Sequence, residues 1–217
     1  DPPFCPSQYC SCDENSDYNI DIQPHTPSCC EEPIDMYYIE SGDVYHQRLD
    51  FFTHLPMGEA TLCGDFAGAI DIEIDSNHNI FVADQVGGKV VRITEGCSFS
   101  NTVTSWPEGP IGSPSAIGIG HNGLFVADHA ALYFVELNQD FEANTIHHLD
   151  WTDLNVDGIH MGVNGTIYFV DQGAGIKMYD PATDSVSTYI AINQYRIPDI
   201  KDVKVTENCG VFISVTD

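Results

Sequence analysis

Phe81-Val82-Ala83-Asp84-Gln85 is a short phrase that returns along the chain. Its other copies are Tyr37-Tyr38-Ile39-Glu40-Ser41, Phe125-Val126-Ala127-Asp128-His129 and Tyr168-Phe169-Val170-Asp171-Gln172. The acidic residue falls at 40, 84, 128 and 171, which gives steps of 44, 44 and 43 residues. A degraded fifth copy, Val211-Phe212-Ile213-Ser214-Val215, stands where the next step falls. Upstream of three copies runs another apolar alternation ending in a turn: Ala69–Ile74 before Asp75–Asn79, Ser115–Gly120 before His121-Asn122-Gly123, and Gly158–Val163 before Asn164-Gly165-Thr166. Period-two apolar residues around an Asn-Gly turn are a strong hairpin signal. Two weaker strand patterns follow, such as Lys89–Ile93 and Asn101–Trp106. Each period thus holds about four strands, the content of one blade of a β-propeller. The fold class expected is all-β, with about four to five blade units, incomplete terminal blades and an irregular N-terminal arm.

The second strand of each unit is apolar at nearly every position, as expected when both of its faces are covered. The acidic residue closes that strand, where a short carboxylate can accept backbone N–H bonds from an adjacent turn. Glu40, Asp84, Asp128 and Asp171 are therefore read as structural acids of the repeat.

The segments AIDIEIDSNHNIFVADQVGGKVVRI (69–93), SAIGIGHNGLFVADHAALYFVEL (115–137) and DGIHMGVNGTIYFVDQGAGIKMYD (157–180) resemble the NHL and YWTD groups of β-propellers. The resemblance covers about residues 36–217. It is specific for architecture and open for function, because such propellers serve as receptors, scaffolds, lyases and lactonases. It implies that an enzyme of this kind would place metal ligands on the inner strands around a central channel. His160 lies on an expected first strand, and His121 and His129 lie near strand ends, but the positions matching His129 are Gln85 and Gln172. The sequence gathers no set of histidines.

The terminal units read as partial. Residues 36–56 supply second, third and fourth strands, and residues 200–217 supply a first and a second. Three arrangements follow: a piece of a larger propeller, closure of the chain on itself, or completion by another copy into a head-to-tail polymer. The first two together rank above the third.

Thirty-three acidic residues face seven basic ones, for a formal charge of −26 over 217 residues. No basic footprint for nucleic acid exists. An anionic membrane surface is disfavoured for the same reason, and no apolar run reaches the ~18 residues of a span. Cationic partners, divalent ions or a saline setting fit such a charge.

Cys5, Cys10, Cys12, Cys29, Cys30, Cys63, Cys97 and Cys209 make an even set, with five in the first thirty residues. Disulfides in an oxidising compartment are expected. The odd count in the N-terminal group requires at least one bond out of it, or a link to another chain, if every cysteine is paired. The spacing of Cys10-Ser11-Cys12 and Cys29-Cys30 does not match common zinc knuckles. Residues 1–35 hold few aliphatics and read as a disulfide-linked arm, with the propeller over 36–217.

Asp153, Asn155 and Asp157 stand at alternate positions before Gly158, an arrangement that offers oxygen ligands to Ca²⁺. The twelfth position of that loop is Asn164 and not the bidentate Glu of an EF-hand. Asp13–Asp21 has a similar alternation without the glycine. Asn164-Gly165-Thr166 is a glycosylation sequon set in an expected turn. No nucleophile elbow, P-loop or zinc-protease motif occurs, and Gly118-Ile119-Gly120 belongs to an expected blade strand that offers no phosphate site. The function expected is that of a secreted, acidic structural or interaction module whose partners are other protein chains, copies of itself included. A role as a fibre-forming subunit belongs to this reading, with neither nucleic-acid binding nor membrane insertion. A metal-dependent lactonase- or lyase-like propeller is the alternative.

Overall fold

The computed structural model describes residues 33–64, 66–98, 100–105, 110–128, 131–149, 155–162, 165–180, 183, 185–191, 200–205 and 211–215. Expectations that fall on residues 1–32, Asp153, Asn164 and Cys209 lie outside them. The chain divides into two compact units. Among the described residues, one contains 33–37 with 46–61, and the other contains 38–45 with 62–215.

Every sheet is antiparallel where register is defined. β1 (Ile34–Glu40), β2 (Asp43–Leu49) and β3 (Thr61–Gly64) form a three-stranded sheet in that order. Three four-stranded sheets follow, each a simple meander. The first has β4 (Ala69–Ile74), β5 (Ile80–Asp84), β6 (Lys89–Ile93) and β7 (Ser100–Ser105). The second has β8 (Pro114–Gly120), β9 (Gly123–Asp128), β10 (Ala131–Leu137) and β11 (Ala143–Leu149). The third has β12 (Val156–Met161), β13 (Ile167–Asp171), β14 (Gly175–Asp180) and β15 (Ser185–Ala191). β16 (Ile200–Val205) and β17 (Val211–Val215) make a two-stranded sheet. A 3-10 turn, Glu95–Cys97, is the helical content among the described residues.

Why the recurring phrase is apolar throughout is visible in the packing. On β9, Leu124 and Val126 join a core layer with Phe81, Ala83 and Val90 of the preceding sheet. The alternate residues, Phe125 and Ala127, join a different layer with Ile159, Ile167 and Phe169 of the following sheet. β13 repeats the pattern, with Ile167 and Phe169 facing back and Tyr168 and Val170 facing Ile200 and Val203 on β16. A strand sandwiched in this way has no solvent face, so its period-two signal disappears.

Registers align the first strands. Ile72, Ile117 and Ile159 pair with Val82, Val126 and Phe169, and Val203 pairs with Ile213. This register places Val215, opposite Ile200, where Asp84 stands opposite Ala69. The fifth copy is thus displaced by one residue from the sequence alignment, which had set Ser214 at the acidic position. The first strands β4, β8, β12 and β16 lie next to one another in series. Gly118 and Gly158 permit this closeness: a Cβ on Gly118 would stand 2.7 Å from Ile159 Cγ2, and one on Gly158 would stand 2.8 Å from Asp202 Cα.

Candidate functional site

Three of the four repeat acids, Asp84, Asp128 and Asp171, act as clips at the strand ends. Asp84, fully buried, accepts N–H bonds from Gly68 at 2.9 Å, Gly87 at 3.0 Å and Ala67 at 3.4 Å, with the Lys89 ammonium 3.7 Å away. Asp128 accepts from Gly112 at 2.7 Å and Ser113 at 3.3 Å, and Asp171 from Asn155 at 3.3 Å. Each clip ties the loop entering the first strand to the end of the second strand of the same sheet. Backbone bonds double two of them, Gln85 N–H to the Gly68 carbonyl and Gln172 N–H to the Asn155 carbonyl. Glu40 ends β1 exposed.

The inner strands carry a second group, which the repeat pattern did not bring out. The aligned positions Asp71, Ala116, Gly158 and Asp202 form one level, and Glu73, Gly118, His160 and Lys204 form the next. β4 and β16 thus bring charge to levels where β8 carries only Ala116 and Gly118. Lys204 is ion-paired with Glu73. Asp71 accepts from Ile117 N–H on β8 at 2.8 Å and from Ile72 N–H at 2.9 Å. Asp202 makes the matching local bond from Val203 N–H at 2.7 Å. His160 Nε2 lies 3.1 Å from the Val205 carbonyl oxygen, joining β12 to β16.

Electrostatics follow from this setting. Burial pushes the Asp71 carboxyl up to about 7, against the pull of the Ile117 N–H and the Lys204 charge. Burial also raises Asp202, partly offset by the Val203 N–H and by His160. Lys204 is lowered by burial, with Asp71 holding it up. A carboxyl near neutrality can both give and take a proton.

Two residues of the candidate calcium loop, Asn155 and Asp157, have protein partners. Asp157 Oδ2 receives Lys201 Nζ at 3.2 Å and the Gln172 amide, while Asn155 Nδ2 bonds Gln172 Oε1 at 2.6 Å. A lysine thus meets the Asp157 charge, while Asp153 lies outside the described residues. Among the described residues, no three of His, Cys, Asp and Glu are grouped to hold a metal ion. His121 lies at the β8–β9 turn, apart from His160 on β12, and His129 lies outside the described residues. Cys63 and Cys97 are joined by a disulfide that brackets β4–β6.

The inner-strand charges had a signal in the sequence: Asp71, Glu73, Asp202 and Lys204 interrupt strands whose counterparts hold Ala116, Gly118, Gly158 and His160. Reading them as a group required the registers.

No family model matches the chain, and no curated protein matches it. Solved structures do. A chain of the nidogen/laminin complex superposes with a TM-score of 0.69 at 14% identity, over 83% of this chain and 70% of that one. An auxiliary nutrient binding protein from Bacteroides thetaiotaomicron gives a TM-score of 0.55 at 17% identity, over 80% of this chain and 50% of that one. Virginiamycin B lyase from Staphylococcus aureus gives 0.54 at 16% identity, over 83% and 63%. These neighbours are β-propeller proteins, interaction modules and enzymes among them, and at such identities the likeness is one of fold. The chain spans half to seven-tenths of their lengths.

Proposed function

We propose that this chain is an extracellular interaction module on a β-propeller scaffold, and that its first partner is another copy of itself. The observation that carries the reading is the β16–β17 sheet. Its neighbours have four strands, whereas β17 pairs with β16 on one side and with no strand on the other among the described residues. Phe212 on β17 is 67% exposed. A strand edge with no partner among the described residues, beside an exposed aromatic, is a template for strand addition. The Cys63–Cys97 disulfide and the charge of −26 fit an oxidising extracellular setting. No helix among the described residues is long and apolar enough to cross a membrane. A Cys-rich arm over 1–35 beside a propeller over 36–217 is the domain organisation that goes with this reading.

The test is sedimentation velocity across a concentration series, comparing the native chain with Phe212→Asp. Self-association that the substitution abolishes supports the reading. A native chain that stays a monomer at every concentration overturns self-assembly.

A second reading, a propeller enzyme, draws on one observation: Asp71, held near neutrality, shares the inner strands with His160 and Lys204. Turnover of a lactone panel that Asp71→Asn removes would favour it. Calcium bound by Asp153, Asn155 and Asp157 would compete with Lys201 for the Asp157 carboxylate. Calorimetric titration with Ca²⁺ tests this, and no heat of binding would set it aside.

A further inference from the structure

A recess of about 270 Å³ opens between the β4–β5 turn and the β8–β9 turn. Its inner lining includes Phe81, Leu137 and Phe141. Ser76, Asn77, His121 and Asn122 line it from the two turns. Those four are exposed, and their side chains make no hydrogen bond among the described residues.

The two sides are fastened together by a chain of contacts. Asp75 Oδ1 accepts from the Asn77 and Asn79 N–H groups, both at 2.8 Å, and Oδ2 accepts from Asn79 Nδ2 at 2.7 Å. Asn79 is buried, and its Oδ1 accepts from Arg92 Nε at 2.8 Å and Nη2 at 2.5 Å. The Arg92 guanidinium in turn sits 4.0 Å from the centre of the Phe141 ring. Phe141 has φ of 62°, a left-handed backbone that a bulky residue adopts only under constraint. The constraint is Asn138, whose carbonyl accepts from Phe141 N–H at 3.1 Å and whose Oδ1 accepts from Asp140 at 2.8 Å and Glu142 at 3.0 Å. One of only seven basic residues is spent on positioning this aromatic wall.

We propose that the recess binds a neutral, hydroxyl-rich six-membered ring, such as one glycosyl residue of a glycan. The volume lies just below the ~300–1,000 Å³ of drug-sized pockets and suits a single ring. An aromatic wall meets the C–H face of such a ring, and hydroxyl, amide and imidazole groups meet its hydroxyls. Charge selects against the alternatives. Asp75 also lines the recess, but its carboxylate is turned to three donors of its own turn, and a net charge of −26 repels an anion. This site is separate from the β17 edge and does not rest on self-association.

The test uses the methyl glycosides of glucose, galactose, mannose and N-acetylglucosamine as probes, with protein-observed NMR on the native chain. At least one probe is expected to shift the resonances of His121, Asn122 and Phe141, with a Kd on the ~1 mM scale. The exposed double variant His121→Ala/Asn122→Ala should weaken it about tenfold, near 1.4 kcal/mol, with an unchanged amide spectrum elsewhere. Phe141→Ala should abolish it. No shift at these residues with any probe, undiminished binding by the double variant, or binding of glucuronate or glucosamine alone would overturn the proposal.

Discussion

Asp84 and Glu40 occupy matching places in the sequence repeat but differ in surroundings. Asp84 is fully buried and holds three backbone N–H groups, whereas Glu40 is exposed. Asp84→Ala would strand those donors, at about 3 kcal/mol. Glu40→Ala should change stability by less than about 0.5 kcal/mol. Urea unfolding of the two variants checks the contrast, and equal effects would contradict the clip. Asp71 makes a prediction with a sign. Its carboxyl is ordinarily near 3.8 and is raised to about 7 in the folded chain. Below pH 3.8 both states hold the proton. Between about 4 and 7 the folded state keeps a proton that the unfolded state has lost, so this group's stabilisation fades as pH rises and is gone above 7. Asp71→Asn should remove that decline from a Tm-against-pH profile taken between pH 4 and 8. An unchanged slope would contradict the burial argument.

Strands show most plainly what could be read beforehand. The apolar phrase and its spacing revealed the four-stranded unit because β9 and β13 are covered on both faces, which demands Phe, Val, Ile and Ala at successive positions. Inner-strand chemistry was not legible in the same way. Glu73 and Lys204 are 131 residues apart, and only the series of first strands brings them into an ion pair. The one-residue displacement at Val215 was hidden as well, because Val211–Val215 has no acid to mark the register. Gly118 and Gly158 test how closely these elements approach. Gly158→Ala would place a methyl 2.8 Å from Asp202 Cα and 2.9 Å from the Lys201 carbonyl, both backbone atoms. Gly118→Ala meets the Ile159 side chain first, Cγ2 at 2.7 Å and Cβ at 3.2 Å, with the Ile159 carbonyl oxygen at 3.4 Å. Thermal unfolding should show Gly158→Ala losing about 2–3 kcal/mol and Gly118→Ala losing less. The Cys63–Cys97 bond closes a 34-residue separation. Replacing both cysteines by Ser should cost about 4 kcal/mol on the loop-entropy argument, read by denaturant titration.

For the molecule as a whole, the cysteine count becomes informative once one pair is known. With Cys63 bonded to Cys97, six cysteines remain, of which Cys5, Cys10, Cys12, Cys29 and Cys30 precede residue 36 and Cys209 does not. Five cannot pair among themselves, so pairing of all six within one chain requires Cys209 to join one of them, whereas pairing between copies also allows Cys209 to meet Cys209 and an arm cysteine to meet its counterpart. Peptide mapping without reduction should find Cys209 cross-linked, to an arm cysteine or to Cys209 of another copy, and a free Cys209 thiol would contradict full pairing. The same joint bears on assembly, since β17 lies just beyond Cys209. A surface of charge −26 resists self-association at low salt, so oligomers should grow as ionic strength rises. Electron microscopy of the native, unconcentrated protein, with and without reductant, tests the interaction-module reading most directly. The account predicts ordered oligomers or filaments with a repeat the size of one chain. Isolated single-chain particles in both samples, at low and at physiological salt alike, would contradict it.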